Sequence, residues 1–151
     1  DLLLVFPLYA DGLPVTLMGF LQGLEADPPH HRPVVSVLVN CGFLEPEQND
    51  TALQILRRFC QQNGYPFGSV LKIGSGEAIL ATPFRLLVRA RIRQLARSLH
   101  RRSYREFAVT MPLTKGMFLR ASTRYWENYG KKNGLTRAQM ADPRIEGKSR
   151  P

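Results

Sequence analysis

Apolar and polar positions alternate along this chain in two rhythms, and the change from one to the other outlines its first two-thirds. Leu2 to Phe6 is an unbroken apolar run, the pattern of a strand covered on both faces in a parallel sheet. Pro7 cannot donate to a ladder and ends it; Gly12 and Pro14 shape the turn that follows. From Val15 to Leu24 the rhythm becomes helical, with Leu17, Phe20, Leu21 and Leu24 on one stripe. Val34 to Val39 is a second apolar, β-branched run. Leu53, Leu56, Phe59 and Cys60 then mark the buried face of a helix that starts at Asp50 or Thr51 and closes at Asn63-Gly64. A third strand lies within Phe67–Ile73, and a helix over residues 83–102 carries Phe84, Leu87, Val88, Ile92, Leu95, Ala96 and Leu99 on its core face.

The order strand, helix, strand, helix, strand, helix predicts an α/β fold: a three-layer parallel sheet with right-handed crossovers. Past Arg102 the pattern stops. Tyr104–Pro112 reads as extended or irregular, Phe118–Gly130 as a helix, and residues 134–151 as a polar tail. Two domains are expected, an α/β domain over 1–102 and a basic C-terminal extension over 103–151.

Charge sharpens that division. Residues 1–81 hold four basic and eight acidic residues, a net of −4, while residues 82–151 hold seventeen basic and four acidic, a net of +13. Such asymmetry suggests an anionic partner for the second half. Arg85, Arg89, Arg93, Arg97 and Arg101 recur every four residues along one helix stripe, and nucleic acid or an anionic membrane surface is a candidate partner. The bland reading is a solvated helix face. No apolar run approaches the roughly 20 residues of a membrane-spanning helix, and no basic leader precedes the first strand, so a cytoplasmic location is expected. Cys41 and Cys60 read as free thiols. The adjacent His30 and His31 lack the further ligands a metal site needs.

In a parallel sheet, ligands bind outside the carboxyl ends of the strands. That places Pro7, Leu8, Tyr9, Ala10 and Asp11 after the first strand, and Asn40, Cys41, Gly42 and Phe43 after the second, where a ligand is expected. Gly74-Ser75-Gly76 follows the third strand and offers either a phosphate cradle or a tight structural turn. No Ser/His/Asp or Cys/His constellation can be assembled, so no catalytic side chain is named.

Phe6-Pro7-Leu8-Tyr9, Gly12-x-Pro14 and the helix with Leu17, Phe20 and Leu21 resemble the flavin-contacting loop of the flavodoxin-like reductases, the NAD(P)H-dependent FMN reductases and quinone reductases. Where that family often carries a Leu-Lys pair, this chain has Met18. The resemblance extends through Asn40–Phe43, Gly68–Gly76 and residues 83–102. It implies a flavodoxin-like three-layer fold, FMN and NAD(P)H as cofactors, and electron transfer through flavin to a small-molecule acceptor. Pro7–Asp11 and Asn40–Phe43 would border the flavin ring. That family holds the FMN phosphate on a Ser/Thr-rich loop ahead of these strands, and none precedes Asp1. The resemblance thus implies a fold truncated at its N-terminus, inactive in this form, with a bare apolar strand edge. A homodimer or a missing N-terminal segment would cover that edge. The alternative function is a non-catalytic binding or dimerisation module whose basic half holds an anionic partner.

Overall fold

The structure, a computed structural model, describes residues 1–141; residues 142–151 of the expected tail lie outside the described residues. The described residues form two compact units, divided between Met111 and Pro112. The first unit contains β1 (Leu2–Pro7), α1 (Val15–Ala26), β2 (Val35–Asn40), a 3-10 turn (Pro46–Asn49), α2 (Asp50–Asn63), β3 (Phe67–Ile73), α3 (Gly76–Leu80), α4 (Arg85–His100) and β4 (Glu106–Val109). The four strands form one all-parallel sheet in the order β1-β2-β3-β4. The fold of this unit is α/β.

Three strands were expected and four are present. Glu106–Val109, in the segment read as extended or irregular and grouped with the extension, pairs residue for residue with Val70–Ile73. It is four residues long, opens on Glu106 and is largely unburied, so no long apolar run announces it. Backbone hydrogen bonds pair it with β3, and charges on the α2 side of the sheet reinforce the pairing. Lys72 Nζ lies 2.9 Å from both Asp50 Oδ1 and Glu106 Oε1, and Arg57 reaches Glu106 Oε2 at 2.9 Å. A lysine in a central strand is tolerated because its nearly buried ammonium has two carboxylates.

The two faces of the sheet are covered differently. Leu4, Phe6, Val35, Val37, Val39 and Val70 pack against Leu21 of α1 and Leu53, Leu56 and Cys60 of α2. Each fully buried aliphatic side chain there contributes about 1.5–3 kcal/mol. On the other face, α4 sits over β3 and β4 alone, and Ser98 meets Ser69 at 2.6 Å between hydroxyl oxygens. Leu3 and Val5, on the uncovered part of β1, remain 43% and 64% exposed. The unit therefore has three layers, but the third is partial.

This arrangement corrects the expected crossovers. All three connections advance in one direction across the sheet, yet α1 and α2 lie on one face and α4 on the other. Connections that advance the same way with helices on opposite faces differ in hand, so the three cannot all be right-handed. The buried face of α4 is also narrower than its periodicity predicts. Val88, Leu95 and Ser98 are buried, whereas Leu87 and Ile92, on the two flanks of that stripe, are 43% and 42% exposed.

In the second unit, α5 (Lys115–Lys132) starts at Thr114, whose hydroxyl accepts from the Met117 amide at 3.3 Å. Tyr125, Trp126 and Tyr129 contact one another along it and are each more than half exposed. α6 (Arg137–Ala141) follows. No helix among the described residues is long and apolar enough to cross a membrane.

The lysine bridge carries a pH signature. Burial alone would lower the Lys72 pKa, but the hydrogen bonds and charges of Asp50 and Glu106 outweigh it and raise it above the ordinary 10.5. A lysine pKa raised by folding contributes stability that is complete below the unfolded value and is lost as pH rises through the folded one. Lys72→Met is expected to cost about 1–2 kcal/mol at neutral pH. Urea unfolding should show the variant's deficit shrinking as pH rises above 10.5; a deficit unchanged with pH would remove the bridge from this role.

Candidate functional site

The carboxyl ends of the four strands define the site. β1 and β2 are adjacent and in register, with Pro7 opposite Asn40. The Leu8 amide donates to the Asn40 carbonyl at 2.8 Å, so the loops after the two strands are joined at their roots. Tyr9 and Gly12 then exchange two backbone hydrogen bonds, 3.2 and 2.9 Å, closing a two-residue hairpin. Its central residues, Ala10 and Asp11, have φ of 46° and 58°. Positive φ at both positions is the signature of a type I′ turn, which usually takes Asn or Gly. Ala10 thus holds backbone strain of order 1–2 kcal/mol at the rim of the site.

The expected site residues separate into two groups. Tyr9 and Phe43 are 65% and 51% exposed, and Pro7, Ala10, Asp11 and Gly42 are exposed beside them. These can meet a ligand. Leu8 and Asn40 are half-buried supports. Cys41 points inward: its thiol faces the Phe43 and Glu45 carbonyls at 3.8 and 3.6 Å and accepts from Asn49 Nδ2 at 3.5 Å. Burial pushes the Cys41 thiol above its ordinary value, against the lowering effect of the Phe43 and Asn49 hydrogen bonds. Cys60, in the core, is pushed up to about 11 by burial. Neither is an activated nucleophile.

Gly74-Ser75-Gly76 is a structural turn. The Gly74 amide donates to Val109 O at 2.8 Å and the Ser75 amide to Phe43 O at 2.5 Å, so two of its three amides already have acceptors. A Cβ on Gly74 would lie 2.6 Å from Leu44 O, and one on Gly76 would lie 2.9 Å from Cys41 O. The glycines are there because the turn presses against the Cys41–Pro46 loop. Ser75, buried with φ 60°, bonds Thr110 Oγ1 at 2.9 Å, and Thr110 donates in turn to Leu44 O.

Two supporting residues escape sequence reading. Asn49, read as the end of a loop, occupies the N-cap position of α2, but its side chain makes no capping bond. It is fully buried and donates to Pro46 O at 2.9 Å, holding the loop against β3. Thr110 has no local signal, since its partners lie 35 and 66 residues away. Among the described residues, no group of three or more His, Cys, Asp or Glu is placed to hold a metal ion.

With that geometry in hand, comparison with known proteins adds no relative: the chain matches no family model, no curated protein and no solved structure.

Gly74→Ala tests the turn. A Cβ meeting a backbone carbonyl cannot be relieved by a rotamer change, so a loss of about 2–3 kcal/mol is expected. In the parent protein both thiols should resist a thiol-specific reagent at neutral pH. In the variant Cys41 should react ahead of Cys60, because only the loop is displaced. Equal stability, or both thiols reacting together, would count against the turn as the clamp on that loop.

Proposed function

We propose that residues 1–111 are the ring-bordering part of a flavodoxin-like, FMN-dependent NAD(P)H oxidoreductase that passes electrons through flavin to a small-molecule acceptor. The observation that supports it most is the Leu8–Asn40 hydrogen bond. It brings two ligand-facing loops, each with an exposed aromatic side chain, to one edge of adjacent parallel strands. In such a site the flavin carries the hydride chemistry and the protein supplies position and electrostatics.

The residues fit the two parts of the cofactor unequally. Tyr9, Phe43 and the backbone of Pro7–Asp11 suit a flat heterocycle. The phosphate has less support: among the described residues at this edge, the glycine-rich turn has two of its three amides committed to Phe43 and Val109. A second departure is β4. In the flavodoxin-like order 2-1-3-4-5 the fifth strand is an edge. Here β3 stands in that place and β4 is added beyond it.

FMN and riboflavin should therefore bind this chain weakly and about equally, since the phosphate adds nothing. Quenching of flavin fluorescence during titration measures both, and Tyr9→Ala should weaken both together. FMN bound much more tightly than riboflavin would move the phosphate to another element. Failure of either flavin to bind at millimolar concentration would remove the flavin reading from this chain.

A second reading is association of two copies, favoured by the bare outer edge of β1 and by Leu3 and Val5 beside it. Antiparallel pairing of two β1 strands would satisfy their outward amides and set the Leu3 and Val5 side chains of the two copies side by side. Sedimentation should then show a dimer that Val5→Lys dissociates; a monomer at all concentrations would leave the edge without that role.

A further inference from the structure

The arginines of α4 do not act as the single stripe that their spacing in sequence outlines. Arg91, Gln94, Ser98 and Arg101 lie on one face of the helix, and Arg105 approaches from the start of β4. With Arg97, Ser103 and Phe107 they enclose a cavity of about 400 Å³. Among the described residues none of its four guanidinium groups forms an ion pair, and the one hydrogen bond they donate runs from Arg91 to Gln94 at 2.7 Å. Four cations facing one concavity without a carboxylate repel one another, and an anion relieves that repulsion.

The cavity is held from behind. The Arg105 amide donates to Ser69 Oγ at 3.2 Å, Ser69 and Ser98 share a 2.6 Å hydroxyl contact, and Ser98 donates to Ser103 O at 2.5 Å. Only one set of protons satisfies the three bonds: Ser69 donates to Ser98. Ser69 and Ser98 are buried. This relay fixes the α4 wall against the β4 wall, and Arg102, with φ 50°, makes the tight reversal between them. The arginines are therefore presented from a rigid frame.

A second cavity, about 440 Å³, adjoins the first and shares Arg91 and Gln94 with it. Its other walls are Leu87, Ala90, Ala108, Val109 and Thr110. Residues 105 and 109 give their carbonyls to β3, so the backbone N–H and C=O of Ala108 point away from β3. One end of the groove is thus cationic and rich in donors. The other is mostly apolar, with one peptide group free to bond a ring edge.

We propose that this groove binds a phosphorylated small molecule of nucleotide size, its phosphates on Arg97, Arg101 and Arg105 and its flat body against Leu87 and Val109. Guanidinium groups pair with phosphate oxygens in bidentate fashion, and both cavities fall in the size range of small-molecule sites. A polyanion would need a basic track running on beyond this groove, whose other end is mostly apolar. The inference does not rest on the flavin reading, which concerns the edge at Tyr9 and Phe43.

Calorimetric titration of the purified chain with adenosine diphosphate, pyrophosphate, adenosine, a hexaglutamate peptide and a single-stranded oligonucleotide tests it at physiological salt. Adenosine diphosphate should bind at least about tenfold more tightly than either pyrophosphate or adenosine. The exposed double change Arg101→Gln/Arg105→Gln should weaken it about tenfold or more, with circular dichroism unchanged. Leu87→Glu should weaken adenosine diphosphate more than pyrophosphate. Arg89→Gln/Arg93→Gln, outside the groove, and Tyr9→Ala should leave it unaltered. Absence of adenosine diphosphate binding, equal losses in the two arginine doubles, or tighter binding of the peptide or the oligonucleotide would each overturn the proposal.

Discussion

The close approach of Gly74 and Gly76 to the loop after β2 is the constraint on which the carboxyl edge of the sheet depends. Without a Cβ at either position, β3 can end directly beneath Leu44 and Cys41. That proximity lets the Ser75 amide bond Phe43 O, and it lets Ser75 and Thr110 join the ends of β3 and β4. Asn49 secures the same loop from the helix side. The exposed position of Phe43 follows from these contacts, because a loop held at Cys41, Leu44 and Pro46 leaves the residue between them turned to solvent. The site residues that face solvent are thus positioned by buried neighbours with no surface of their own to offer.

A second constraint comes from unequal cover. One face of the sheet has two helices and a continuous aliphatic core. The other has α4 over half its width. The uncovered half begins with β1, where Leu3 and Val5 are apolar yet exposed. Parallel strands are normally buried on both sides. The alternation of β1, inward at Leu4 and Phe6 and outward at Leu3 and Val5, therefore has the composition of a doubly covered strand and the surroundings of a singly covered one. The mismatch is local to β1 and the adjoining part of β2; β3, covered on both faces, is buried throughout its second half.

How much of this was legible in sequence depended on whether the signal was local. The three long strands and the main helices follow from apolar runs and 3.6-residue periodicity, so β1, β2, β3, α1, α2 and α4 emerge near their observed bounds. β4 does not, because Glu106-Phe107-Ala108-Val109 is defined by what it pairs with: Lys72, 34 positions away, and Arg57 of α2. The face of α4 was misjudged for a related reason. Hydropathy assigns Leu87 and Ile92 inward and passes over Ser98, but the first two flank the buried stripe and stay partly exposed, and a buried serine partner awaits the third. At the carboxyl edge the loops were legible from Pro and Gly punctuation and from the topology of parallel sheets. The inward turn of Cys41 was not, since it depends on Asn49 and on carbonyls folded back from Phe43 and Glu45.

The carboxyl edge and the α4–β4 groove are separate surfaces that share one residue. Thr110 follows β4, lines the apolar part of the groove, and bonds both Ser75 and Leu44 O. Leu44 adjoins Phe43, whose carbonyl accepts from Ser75. A body seated against Val109 and Thr110 would therefore lean on the same hydroxyl that steadies the loop carrying Phe43. Coupling between two sites requires an element that both bias. Here that element is a short chain of hydrogen bonds with a buried serine in a left-handed conformation at its centre. Its geometry leaves little room to yield by degrees, because the glycines on either side of Ser75 are already against backbone. A displacement of Thr110 would therefore pass to Leu44 O and the loop after β2 rather than be absorbed at Ser75.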